Sequence, residues 1–330
     1  MAAPPLNVYA ATMQGLDPRV VGIPARVYVP ATVANTVTEI DPQTFRVIRR
    51  FKAGLTPEHI TPSFDLSTLY VDEERSAQLL KIDPRTGLTE GTVAVSNPYN
   101  LYFTPDGHTA IVVEEYLRTL AFYDATTWAL IRKVDVAIAG IDHLDFSADG
   151  SFFLISAEFS GAVIKFDTAT GKQLGIAIVG GQPIDVKLSP DGTVFYVANQ
   201  GRGGVSVIDP TTMHERTFIR TQRGAHGLCV SRDTRSLYVS NRLAGSVSVI
   251  NFSTQKVSAT WHVGGSPDMM QVNWGGDQLW ASSRFDGNVL VIDTATGNVL
   301  KRIFCDAGAH GLTFFPAPGR VSLGHNGVYR

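Results

Sequence analysis

The chain has 330 residues, 44% of them apolar and only 18% charged, which excludes a disordered segment and suits a protein that buries a large core. Its 28 basic and 30 acidic side chains are interspersed and sum to a net charge of −2. There is no Lys/Arg run, so nucleic acid and anionic membrane surfaces are excluded as expected partners. Two cysteines, Cys229 and Cys305, are too few for a disulfide scaffold.

At the start, Met1 to Tyr9 lack the basic opening and long apolar stretch of a signal peptide, and no later run is long enough to span a bilayer. The chain as given therefore reads as soluble and cytoplasmic, with a trimmed, exported form left open. Residues 1–26 lack the strand pattern that follows and are expected to pack as an extension on a single domain formed by 27–330.

From there the sequence repeats. A Pro or its substitute recurs at Pro57, Pro98, Ile141, Pro183, Ala225, Pro267 and Ala309, with spacings of 41, 43, 42, 42, 42 and 42. Seven copies at that period predict an all-β fold, a seven-bladed β-propeller. Each copy reads as four short strands. The first, such as Val186 to Ser189, ends in a turn such as Pro190-Asp191-Gly192, where Gly accepts the positive φ that a hairpin needs. The second is β-branched and aromatic, as in Val194 to Val197, and the third, such as Gly204 to Asp209, closes on an aspartate. Asp41, Asp83, Asp124, Asp167, Asp209 and Asp293 share that place before Thr-containing turns, so they are expected to form turns.

The two ends should share a blade: Gly311 to Phe315 and Arg320 to His325 as inner strands, Asn35 to Asp41 and Thr44 to Phe51 as outer ones. Val27 to Pro30 also fits the second strand, in competition with Val321 to Leu323, and the sequence leaves that choice open.

Phe195-Tyr196-Val197-Ala198-Asn199 and Leu237-Tyr238-Val239-Ser240-Asn241, each followed by Val-Ser-Val-Ile, resemble the YVTN-type repeats of YncE-like propellers. The resemblance spans residue 27 to the C-terminus and implies the propeller fold. It implies no single activity, because propellers with such repeats include surface-layer components, cofactor-biosynthesis proteins and electron-transfer partners.

A repeat needs only apolar and turn residues, so polar residues that break its pattern mark chemistry. The first position after each anchor holds Glu58, Tyr99, Asp142, Ile184, His226, Asp268 and His310; the second holds His59, Asn100, His143, Asp185, Gly227, Met269 and Gly311. Both enter the innermost strand, and the antiparallel second strand returns to the same mouth of the channel with Glu74, Glu115, Glu158, Gln200, Arg242 and Arg284. His59, His143, His226 and His310 are thus expected to converge as ligands of a divalent transition metal, iron or copper ahead of zinc. Gly227 and Gly311 would leave room for the imidazoles to turn inward. Glu115, Glu158 and Asp142 are the expected proton-transfer carboxylates, and Glu58, Tyr99, Asn100, Asp185, Asp268, Arg284 and His325 the expected surroundings of a substrate.

No Gly-x-Ser-x-Gly elbow, Walker loop, His-Glu-x-x-His or Cys-x-x-Cys occurs. The sequence thus points to a metal-dependent oxidoreductase acting on a small molecule. The alternative is a non-catalytic propeller that holds a protein, peptide or small ligand on the same polar face.

Overall fold

In the computed structural model, which describes residues 6–325 and 328–330, seven four-stranded antiparallel sheets form a closed ring. Blades 1 to 7 are numbered here by their innermost strands: Pro57–Pro62, Asn100–Phe103, Ile141–Phe146, Pro183–Leu188, Ala225–Val230, Pro267–Val272 and Thr313–Phe315. Apolar side chains fill the gaps between neighbouring blades, as where Tyr196, Val205 and Ala198 of blade 4 meet Leu228, Leu237 and Val239 of blade 5. Outermost strands such as Arg46–Lys52 alternate between exposed and half-buried residues, as expected where one face meets water.

The aspartates that end the third strands do form turns. Asp293 Oδ1, for example, accepts from the backbone of Ala295 at 3.1 Å and of Thr296 at 2.7 Å. Such bonds stabilise the charged form and hold these carboxyls below the usual range.

Blade 7 resolves the competition at the closure. Its second strand is Arg26–Ala31, paired with Thr313–Phe315 on one side and Thr36–Asp41 on the other. Arg26–Ala31 and Thr36–Asp41 form a hairpin whose short turn makes pairing entropically cheap, whereas Val321 to Leu323 would have to fold back from beyond the last strand. Arg320 to His325 is therefore not the inner strand that the repeat pattern suggested. It belongs to a C-terminal tail that runs under the ring, where Leu323 bonds to the backbone of Phe103 and Val328.

The same end of the channel is covered by the N-terminal extension. Tyr9 Oη donates to the Leu188 carbonyl at 2.8 Å, and Val20 and Ile23 are buried against Ile60, Leu69 and Tyr329. Of the 1–26 extension, residues 1–5 lie outside the described residues. Arg330 pairs with Asp145 at 2.7 Å and lies over the Tyr9 ring, so both ends of the chain lock together there. Tyr9, Leu323 and Arg330 all touch the C-terminal ends of inner strands, so this stopper sits opposite the mouth and turns the channel into a well. Among the described residues no helix is long and apolar enough to cross a membrane.

Candidate metal centre and channel mouth

The polar positions are aimed by a shared irregularity. In blade 3, Ile141 pairs with Ala157 and Leu144 with Ile155, so three steps on the inner strand match two on its partner, and Asp142 and His143 lie in the resulting bulge. Blades 1, 4, 5 and 6 repeat it at Pro57/Ile60, Pro183/Val186, Ala225/Leu228 and Pro267/Met270. A bulge bends the strand and redirects side chains, which is why bulges collect beside functional sites. Nothing in residue type announced it.

His59, His143 and the tail's His325 come together. One ring nitrogen from each lies within 4.8 Å of the others, and the His325 ring stands 4.3 Å from that of His59 and 4.5 Å from that of His143. The three are 0–1% exposed, and of their six ring nitrogens only His143 Nε2, which faces Asp142, has a polar side chain within reach of a hydrogen bond. Burial and the neighbouring imidazoles hold His59 and His325 well below the usual histidine range. Burial acts the same way on His143, but Asp142 and Asp185 outweigh it and raise that imidazole. Asp142 Oδ1 is 3.0 Å from His143 Nε2, and Asp185 is 3.9 Å from Nδ1.

The other two expected ligands are engaged elsewhere. His226 does not join the cluster: its Nε2 faces the Arg242 guanidinium and its Nδ1 lies 2.8 Å from Asp268. Burial and Arg242 push its pKa down to about 4. His310 is intermediate. Its ring is 4.7 Å from that of His59, but Nδ1 is tied to Asp268 at 2.8 Å, and only Nε2, 3.4 Å from Glu58, stays unpaired.

Asp268 is therefore a strut. It holds two histidines and two arginines, Arg242 at 2.5 Å and Arg284 at 3.8 Å, and these cations together with its histidine contacts keep it ionised against strong burial. Asp185 is a strut as well, accepting from the backbone of Val186 and, at 2.8 Å, of Leu228 in the next blade. Arg242 was passed over as a site residue, although it occupies the same repeat position as Glu115, Glu158 and Arg284. Gly227 and Gly311 do not free the imidazoles; a Cβ at Gly311 would lie 2.6 Å from the Glu58 carbonyl and 2.9 Å from His59 Nδ1, so these glycines admit the neighbouring blade.

Tyr99 stands edge-on to His59 and His143 at 5.5 and 6.0 Å. Asn100 donates to the Asp142 carbonyl at 3.1 Å and keeps Oδ1 free. At the lip Glu74, Glu115 and Glu158 are half-buried; burial and then neighbouring carboxylates raise Glu115 to about 9 and Glu158 to about 7. Among the described residues the ion pairs of the triad's histidines are with Asp142 and Asp185 and none is with Glu115 or Glu158, although His143 lowers Glu158 from a distance.

A sequence profile described as a YncE-like β-propeller matches residues 9–318. The chain belongs to that family. A search of curated proteins finds no match. Among solved structures, this YncE-like propeller is similar to a functionally unknown protein from Desulfotomaculum acetoxidans DSM 771, at 18% identity over 88% of this chain and 98% of that one, with a TM-score of 0.74. It is also similar to Kuenenia stuttgartiensis hydrazine synthase, at 19% identity over 76% and 87% of the chains, TM-score 0.67. A third, dihydro-heme d1 dehydrogenase NirN in complex with DHE, shares 18% identity over 87% and 74%, TM-score 0.67. At such identities the likeness extends to the fold alone.

Proposed function

We propose that this YncE-like propeller is a metal-dependent oxidoreductase acting on a small molecule that enters at the open mouth, with His59, His143 and His325 as the metal ligands. The observation that carries the reading is a fully buried triad in which one nitrogen of each ring lies within 4.8 Å of the others and only His143 Nε2, beside Asp142, has a polar side chain next to it. A buried polar atom without a partner costs ~1–3 kcal/mol. In a neutral imidazole one nitrogen carries the proton and the other a lone pair, so the three rings offer three lone pairs that a single ion can accept. Metal–nitrogen bonds of about 2.1 Å allow ligand nitrogens to stand up to about 4.2 Å apart. The 4.8 Å limit observed is therefore within about an ångström of closure.

Three neutral nitrogen donors and no thiolate suit iron or copper, and zinc less well for redox work. When bound, such an ion supplies the Lewis-acid or one-electron chemistry; the chain's own residues do the rest. Asp142 orients the His143 ring, as carboxylates beside metal-bound histidines do. His310, fixed by Asp268, offers Nε2 beside the triad. Glu158 and Glu115, whose carboxyls titrate near and above neutrality, can carry protons between the well and solvent. The fold also serves a protein named as a dehydrogenase, which agrees in class with this reading but does not itself assign a function.

Elemental analysis of protein purified without a metal-affinity tag tests the proposal. About one iron or copper per chain is expected in the native protein, loss of most of it in His59→Ala and His143→Ala, and retention in His226→Ala. A native protein that takes up no stoichiometric metal even after reconstitution would refute it.

A further inference from the structure

Around the triad, the unpaired side-chain atoms of blades 1 to 3 are all of one kind. Glu58 Oε2, Asp142 Oδ2 and Asn100 Oδ1 are buried without a hydrogen-bond partner, Asp142 Oδ1 has only His143 Nε2 beside it at 3.0 Å, and each is an acceptor, the carboxyls when ionised. Glu58 is 5% exposed, Asp142 and Asn100 not at all. Whatever completes this half of the well must bring N–H or O–H donors or positive charge.

The protein's own cations do not supply it at contact range. Arg242 is bound to Asp268, and Arg284, 3.8 Å from Asp268, acts on Glu58 and Glu158 only from a distance, while Glu58 and Asp142 meet only histidines. Glu74, Glu115 and Glu158 complete a group of five carboxylates that, among the described residues, have no Lys or Arg within 4.0 Å. A divalent ion at the triad would offset two charges at most. Burial and then the neighbouring carboxylates raise Glu115 and Glu158, and Arg242 and Arg284 offset this only in part at Glu158.

A second feature lies one residue outward. The position after the lip residue is Val33, Tyr116, Phe159, Leu243 or Phe285 in five blades, with exposures of 71, 82, 66, 53 and 68%. These side chains share one repeat position, so the ring sets them around the mouth as an apolar crown. Large apolar groups gathered at one site on a soluble surface mark a place where something binds. On the acidic side, Tyr116 and Phe159 directly follow Glu115 and Glu158.

We infer that the well takes the ammonium head of an amphipathic amine, held among Glu58, Glu115, Asp142 and Glu158, with its apolar body on Tyr116 and Phe159. An ammonium brings three donors and a full charge to unpaired carboxyl and amide oxygens that it can hold ionised and pair, and aromatic rings beside it add cation–π attraction. A bare divalent cation would satisfy the carboxylates but make no use of the crown. As a substrate class this rests on the metal reading above; as a binding site it does not.

The test is calorimetric titration with 2-phenylethylamine, 2-phenylethanol, phenylacetate, ethylamine and Ca2+. The amine is expected to bind at least ~10-fold more tightly than the alcohol, and phenylacetate not detectably. The double variant Glu115→Gln/Glu158→Gln should lose at least ~10-fold in amine affinity with its metal content kept and its melting temperature no lower. Phe159→Ser should weaken 2-phenylethylamine but not ethylamine. His59→Ala should still bind the amine, which separates failure of the metal reading from failure of this one. Equal affinity for amine and alcohol, or one Ca2+ per chain that displaces the amine, would overturn the inference, the latter by making the acidic half an inorganic cation site.

Discussion

Asp72 occupies the place that Ser156, Ser240 and Ser282 hold in blades 3, 5 and 6. There the serine hydroxyl accepts from the inner-strand backbone, at 3.1 Å from His143, 2.7 Å from Gly227 and 3.1 Å from Met269, and Ser240 also donates to the Asp268 carbonyl of the next blade at 2.6 Å. Both Asp72 oxygens are buried without a partner, and burial, then Glu58, raise its carboxyl well above the usual range. The folded state thus binds this proton more tightly than the unfolded chain does. Its stability is complete below the ordinary carboxyl range and falls as pH rises toward the folded value. Asp72→Ser should raise the melting temperature by a few degrees at pH 8 and by much less at pH 4.5; no gain at pH 8 would show that the aspartate is satisfied. At this scale the turn aspartates were legible because their partners are two or three residues away. The separation of His226 was not, since it depends on Arg242 across the blade and Asp268 in the next.

The elements that build the site are the five bulges and the C-terminal tail. Period and register put His59 and His143 in equivalent positions, but their convergence depends on a bulge whose extra residue sequence patterning does not mark. The tail is harder still to read: Val321-Ser322-Leu323 has the composition of a strand, and only the better-placed Arg26–Ala31 displaces it. A Cβ at Gly324 would collide with the Tyr102 ring, so this glycine lets the tail press close enough for His325 to reach the triad. Two changes separate the tail's roles. His325→Ala should abolish metal binding with little change in melting temperature. Removing residues 320–330 should abolish it and also lower the melting temperature, because Arg330–Asp145 and the buried Leu323 and Val328 go with it. Equal melting temperatures for the two variants would mean that the tail adds nothing to the body of the ring.

Seven near-equal blades were legible from spacing alone, because a closed ring follows from the number of repeats. The distribution of charge around the mouth was less so, since which lip residues face one another depends on the order of blades in space. Carboxylates crowd blades 1 to 3, while Arg242 of blade 5 is bound to Asp268 and Arg284 of blade 6 stands 3.8 Å from it. The metal-free protein should therefore lose stability as pH rises. With Glu158 held at about 7 and Glu115 at about 9, the folded state retains protons that the unfolded chain gives up near 4 to 5, so melting temperature should fall across about pH 5 to 9. Glu115→Gln should flatten the upper part of that decline. A melting temperature independent of pH over this range would show that solvent neutralises the mouth.

On the metal reading proposed above, the tail's histidine also sets an order of events. His59 and His143 are synthesised with the first and third blades, but His325 follows Thr313–Phe315, the strand that closes the ring. A nascent chain folds from its N-terminal end while the rest is still being made. An ion that meets the nascent chain then finds two ligands at most, and it is released more readily than from the finished triad. On that reading, loading of the centre would be a late step of maturation, after the ring has closed, when the choice among ions falls to whatever supply the folded protein encounters.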